Sequence, residues 1–467
     1  MPAAAQDATG LRGTVSEQAT TTPRAPTART ATRTATARTG QAGGRSIASG
    51  EQTAIPVPFQ APDEPEDGNP RAGLDNERIG AIEGRQRGRE DDAYAPLGIR
   101  AGTFVLRPRL EQGIGWTSNA SGAAGGEAST YSETNLRLDA ASDWARHRAS
   151  FSADGSYRKS LSGEEIDEFE GGVSGRLDLD LAHELSAFAA AGYRVRPESA
   201  SMPGTVAAAV NRPLRHTLDA SAGLSKDAGP LRLGIAGGLT RETFGDADLA
   251  DGTTVSQRDR DATLATATLR AGYALSPALT PFVEGEVGRR IHDLRLDSAG
   301  YARSADRYAL RGGVELDLGE KLSGEMSLGW LTERPDDSRL DPVSGLSVAG
   351  NLSWSPVRGT IVGLAASTTV EGATAPGDSG SLLYSGTLSA RRDLRTNLTG
   401  EASAGLDWRD YSGGGHDLVL RGEASLTWWM NRHAGVTARA RHEVQESSLP
   451  GRDWDATSLW LGMTLQR

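Results

Sequence analysis

From about residue 103 to residue 465 the chain alternates apolar and polar residues one by one, stretch after stretch, with alternately short and long breaks. Successive side chains of a strand point to opposite faces, so each stretch has one apolar and one polar side. In the first stretch Phe104, Leu106, Pro108, Leu110, Ile114 and Trp116 share one parity, and Val105, Arg107, Arg109, Glu111, Gly113 and Gly115 the other. A soluble sandwich gives the same local pattern. The number of strands, their lengths and their flanking aromatics therefore decide between sandwich and barrel.

Composition narrows the choice. With 37% hydrophobic residues, no apolar run approaches the ~20 residues of a spanning helix, so the chain is either soluble or crosses a bilayer as a closed barrel. The chain has no cysteine, hence no disulfide or thiolate metal site, which is compatible with an oxidising envelope. The net charge of -11 is spread among interspersed acids and bases without a basic stripe, so nucleic acid is not an expected partner. Met1-Pro-Ala-Ala-Ala-Gln lacks the charged start and apolar core of a secretory signal, which implies a removed signal or a start chosen too late.

Residues 1–95 are a different material: a Thr-Ala-Arg-Pro low-complexity run around Arg24, Arg29, Arg33 and Arg38, then a mixed-charge segment through Asp63, Glu64, Glu66 and Asp67. Such composition buries too little apolar surface to order itself, and a disordered tail is expected, with a short helix over 78–89. Residues 96–467 form the barrel. Eighteen strands are expected, at 103–117, 131–144, 147–158, 169–181, 185–196, 214–226, 231–243, 263–275, 281–292, 307–318, 322–333, 345–355, 360–370, 383–392, 396–410, 417–430, 434–443 and 456–466. The fold class is thus all-β, a transmembrane antiparallel up-and-down barrel.

Short connections such as 182–184, 227–230, 319–321, 356–359 and 431–433 alternate with polar ones near 118–130, 159–168, 197–212, 244–260, 293–306, 334–344, 371–381 and 444–455. In outer-membrane barrels short turns are periplasmic and long loops extracellular, which puts both termini and the tail in the periplasm. Aromatics of apolar parity gather at strand ends on that orientation. Trp116, Tyr157, Phe169, Tyr193, Tyr308, Trp330, Tyr384 and Trp408 fall at extracellular ends, and Phe104, Trp144, Tyr273, Trp354 and Trp428 at periplasmic ends. Two interfacial girdles are the expected result.

Pro96-Leu97-Gly98-Ile99-Arg100, leading into a first strand that closes on Trp116 and Asn119, resembles the opening of the putative β-barrel porin 2 family of outer-membrane proteins. The resemblance implies an outer-membrane barrel, often of unassigned function, with some similar proteins associated with exopolysaccharide secretion. It implies no catalytic residues. The chain departs from many outer-membrane barrels at its end: Leu459, Leu461, Met463 and Leu465 alternate properly, but Gln466-Arg467 replace the terminal aromatic read by the insertion machinery.

No enzyme is expected. His147 and Ser150, the nearest approach to a nucleophile and base, have opposite parity. Gly171-Gly172-Val173-Ser174-Gly175-Arg176 has no helix after it to make a phosphate loop. Asp246, Asp248 and Asp251, or Asp336 and Asp337, read as solvated acidic loops rather than metal sites, so no metal or cofactor is expected.

The inward charges are the best candidates for function: Arg107, Arg109, Glu111, Arg137, Asp139, Arg176, Asp178, Arg194, Arg196, Glu284, Glu286, Arg311, Glu315, Arg409, Arg439 and Arg441. Charged walls fit a watery pore, and many of them should pair across neighbouring strands. Three functions stay open: passage of small polar solutes, with the 197–212 or 244–260 loop folded inward as a constriction; polysaccharide export through a periplasmic partner docked on the tail; and a structural or adhesive barrel with a plugged lumen. Outer-membrane lipid, lipopolysaccharide and the insertion machinery are the expected partners.

Overall fold

The computed structural model describes residues 94–198, 212–249, 252–372 and 377–467. The expected tail, apart from its last two residues, and the helix over 78–89 lie outside the described residues.

The described residues form an eighteen-stranded closed antiparallel barrel: β1 (Phe104–Thr117), β2 (Ser129–Ser142), β3 (Arg148–Gly163), β4 (Asp167–Asp180), β5 (Leu185–Pro197), β6 (Leu214–Ala228), β7 (Leu231–Phe244), β8 (Ala262–Tyr273), β9 (Leu279–His292), β10 (Ala305–Asp317), β11 (Leu322–Pro335), β12 (Val343–Trp354), β13 (Thr360–Glu371), β14 (Ser381–Arg395), β15 (Leu398–Tyr411), β16 (His416–Trp429), β17 (Ala434–Ser447) and β18 (Trp454–Gln466). Each strand pairs with the next, and β18 pairs back onto β1 from Arg109↔Gln466 to Thr117↔Ser458. Closure leaves no open edge for aggregation.

The alternation sorts the two faces as read. Leu136, Leu218, Ile235, Leu269, Leu310 and Leu461 stand exposed on the outside, while charged and hydroxyl residues of the other parity line the inside. The β3–β4 connection is an exception to the expected long loop. Both strands extend, β3 to Gly163 and β4 from Asp167, leaving only 164–166 between them. Lys159, Ser160 and Ser162 continue the ladder in polar surroundings, where hydropathy gives no sign of a strand. Ile166 then turns inward onto Tyr131 and Trp460.

The resemblance segment closes the seam. Ile99–Ala101 folds back on β1, with Ile99 opposite Leu106, and fills the flank that β18 does not reach. Gly98 (φ 74°) and Gly102 (φ 62°) hold the left-handed conformations this requires. Gln466 completes the closure, its amide donating to the carbonyls of Tyr94 and Arg432 at 2.9 and 3.2 Å.

The β12–β13 ladder is incomplete. It runs from Trp354↔Val362 to Ala349↔Ser367 and stops, although β12 begins at Val343 and β13 continues to Glu371. Above that point the β13–β14 hairpin leans to the inside of β12.

Candidate functional site: the charged inner wall and its narrowed mouth

Side chains that skip strands identify the inner face, since a chord between distant strands can pass only through the lumen. Arg270 on β8 reaches Glu325 on β11 at 2.7 Å, and Arg232 on β7 reaches Glu315 on β10 at 3.0 Å. Arg439 on β17 bonds Glu111 on β1 and Glu133 on β2 at 3.1 and 3.3 Å.

The structure places the sequence-predicted charges on this face and joins many of them. Arg109 bonds Glu111 at 3.0 Å, Arg137 bonds Asp139 at 2.8 Å, and Arg176 bonds Asp178 at 2.8 Å. Arg107 stands opposite Asp139 near the short-turn end. Arg194 lies 3.7 Å from Asp154, and Arg196 is within electrostatic reach of Glu242. Arg311 clamps Glu284 and Glu286 at 2.8 and 2.5 Å. Arg441 bonds Glu443 at 2.8 Å, and Arg409 bonds Glu371 at 2.6 Å. Many of these ions are buried against the wall, which such pairing makes tolerable.

Aromatic side chains fall into two sets. Trp116, Tyr157, Tyr193, Tyr308 and Trp330 are exposed on the outer face toward the long-loop end, and Trp144, Tyr273, Trp354 and Trp428 toward the short-turn end. Trp408 belongs to the first group, half-buried under the stacked ring of His416 at 4.3 Å. Tyr384 is a correction. It packs against the cluster of Ala309, Leu331, Val343, Val370 and Leu382 inside β12 rather than joining an outer band, because the strand that carries it leans inward.

The second set was missed by sequence reading. Phe188, Phe282, Trp429 and Trp460 have inward parity, and each lies under an arginine: Arg176 at 4.5 Å, Arg270 at 3.4 Å, Arg109 at 5.7 Å and Arg439 at 4.9 Å from the ring centroids. Glycines of the same parity make room for them. A side chain at Gly113 would collide with Trp460, one at Gly223 with Phe188 and one at Gly313 with Phe282. An inward aromatic opposite an inward glycine on the neighbouring strand was the signal available in the sequence.

The ends of β13 and β14 narrow the mouth at the long-loop end, and the two connections expected to fold inward are described only in part. Of those, 199–211 and 250–251 lie outside the described residues, and 244–260 includes a two-residue ladder between Ala247–Asp248 and Thr254–Val255. The hairpin is held from several sides. Val370 and Leu382 pack on the inner wall, and the Val370 carbonyl accepts from the Arg290 guanidinium at 3.2 Å. The Gly377 N–H donates to Asp297 at 3.3 Å, and the Ser412 hydroxyl donates to Asp378 at 2.8 Å. Glu371 also lies within electrostatic reach of Arg215 on β6, across the lumen. Arg215 bonds Glu242, and Arg290 bonds Glu333 at 2.6 Å. Arginines and carboxylates therefore pair with one another around this opening.

Other sequence candidates do not converge. The His147 ring accepts the Asp180 N–H at 3.3 Å, while Ser150 sits opposite Arg176. Asp336 is taken by Arg289 and Asp337 by Arg339, at 2.7 and 2.6 Å, which spends these acids on arginine.

The family model described as "Putative beta-barrel porin 2" matches residues 92–467. Among solved structures the chain is similar to the siderophore receptor PiuA from Acinetobacter baumannii, at 10% identity and a TM-score of 0.40 over 79% of this chain and 82% of that one. It is similar to OccAB4 of the same organism at 12% identity and a TM-score of 0.37, over 78% and 98%. It spans 63% of the FrpB iron transporter from Neisseria meningitidis, at 10% identity and a TM-score of 0.38 over 76% of this chain. No curated protein matches the sequence.

Proposed function

We propose, for a chain that belongs to the putative β-barrel porin 2 family, an outer-membrane channel that passes small polar solutes through a charged lumen narrowed at one mouth. The observation that carries this reading is the inner wall: a ring of eighteen strands wide enough for an aqueous lumen and lined by paired arginines and carboxylates that would be costly to hold in a dry, apolar interior. The outer face supports a bilayer setting, because an apolar belt of this extent is rare on soluble monomers. Its exposed tryptophans and tyrosines suit the two membrane interfaces. On the usual arrangement of such barrels the long loops face outward, where lipopolysaccharide would contact them, and the termini face the periplasm.

The inward residues from Arg107 to Arg441 are then pore-lining, and the Arg215, Glu242, Arg290, Glu333, Glu371 and Arg409 group lies where β13 and β14 lean into the mouth. Proteoliposome swelling tests this reading. Full-length protein should admit small sugars and amino acids at rates that fall steeply with solute size, and cations and anions with little preference. Vesicles that stay impermeable to all of them would overturn it. Permeation that begins only when residues 1–95 are removed would favour a gated exporter.

A further inference from the structure

We propose that the end of β13 (368–372) and the start of β14 (381–384) form a two-position gate: docked inside β12 they narrow the mouth, and zipped against β12 they restore the full wall. The proposal rests on the channel reading above and on the described residues 343–348, 368–372 and 377–384. It starts from the broken ladder. Continued in register past Ala349↔Ser367, β13 would place Thr368 opposite Val348, Thr369 opposite Ser347 and Val370 opposite Leu346.

The backbone groups that this extension would use have substitutes in the docked position. The Val348 N–H points toward β13 and donates to the Thr368 hydroxyl at 2.9 Å. Leu346 shares that direction by the period of the strand, and its backbone hydrogen-bonds the Tyr384 hydroxyl. The Val370 carbonyl is taken by Arg290 at 3.2 Å. Unmade ladder bonds at a sheet edge are costly, and here side chains replace several of them. The inward position is therefore a built state with its own contacts.

The side chains also suit both positions. Val370, Leu382 and Tyr384 carry outer parity. Docked, they fill the inner wall against Ala309, Leu331 and Val343, with the Tyr384 hydroxyl over Gly345, where an added Cβ would strike it. Zipped, the same three would join Leu346 on the outer face, beside Trp330 and Trp408, their ladder neighbours. Glu371 would move away from Arg215, and the mouth would widen. Zipping would uncover Ala309, Leu331 and Val343 and add β12–β13 ladder bonds in exchange, so each position has contacts that the other lacks, as a switch requires.

Disulfide trapping in the full-length protein tests this, on a chain without native cysteine. Gly345→Cys with Leu382→Cys joins positions adjacent only when docked. Ser347→Cys with Thr369→Cys, or Leu346→Cys with Val370→Cys, joins positions adjacent only when zipped, at the spacing that antiparallel pairs and disulfides share. On oxidation both kinds of trap should close, read by gel mobility and mass. In planar bilayers the docked trap should lose the larger conductance level and the zipped trap the smaller, and reductant should restore both. Zipped pairs that stay reduced under an oxidant that fully closes the docked pair would overturn the proposal. So would trapped forms of equal conductance. If both traps close but no form ever conducts, the channel reading fails while the two hairpin positions stand.

Discussion

An inner-face arginine here commonly holds more than one carboxylate, so its removal is felt at several places. Arg439 serves Glu111, Glu133 and Glu423 at 3.1, 3.3 and 3.6 Å and covers Trp460. Arg439→Ala should cost about 3–5 kcal/mol in denaturant unfolding followed by tryptophan fluorescence, and Arg439→Lys less, since charge survives while the fork is lost. Faces can be tested the same way. Leu136→Arg, on the outside near the middle of β2, should cost about 2–4 kcal/mol, while the inward Asn135→Arg, beside Glu133, should be tolerated. Asp297 carries the acid sensitivity of the hairpin contact. Burial pushes its carboxyl up, but the N–H groups of Tyr301, Gly377 and Ala299 and the Arg303 guanidinium outweigh burial and hold it below the usual range. A lowered native value means stability present at neutral pH and lost as pH falls through that value. The melting difference between the parent and Asp297→Asn should therefore be constant from pH 8 to about 5 and vanish in strong acid, below the ordinary carboxylate range of about 4. At this scale parity made the outward set legible, and Leu136 and Trp330 stand where it puts them. It could not reveal Tyr384, because parity names a face and not what that face will pack against.

Whole strands were the most legible features, since period-two alternation over ten or more residues is hard to produce otherwise. The ends of β3 and β4 escaped notice because polar ladder above the apolar belt carries no hydrophobic signal. The broken β12–β13 ladder escaped notice for a different reason: Val370 and Leu346 have the right parity to pair, and only three-dimensional competition with the inner wall separates them. The resemblance segment, in contrast, acquires a physical role, because Ile99–Ala101 and Gln466 close the seam between the first and last strands. One connection runs against its own geometry. His183 and Glu184 adopt left-handed φ of 64° and 56° in the β4–β5 turn, where Asn-Gly is the favoured pair. Left-handed backbone costs non-glycine residues roughly 1–2 kcal/mol each, so His183→Asn with Glu184→Gly should raise the unfolding midpoint. An unchanged or lower midpoint would show that the native side chains supply a compensating contact.

At the scale of the molecule, closure, an apolar outside and a charged inside follow from one alternating pattern, and the sequence alone carried that much. That the ends of β13 and β14 lean inward was not legible there, since loop length marks which segments can reach inward and not which strands find partners on the inner wall. The proposed channel is a water-filled lumen between two mouths, with arginine and carboxylate in near balance along its wall. Single-channel recording of the full-length protein under a salt gradient tests this most directly. Discrete ohmic openings with a reversal potential close to zero are expected. A bilayer that holds correctly folded, heat-modifiable protein yet shows no openings at any voltage would contradict it.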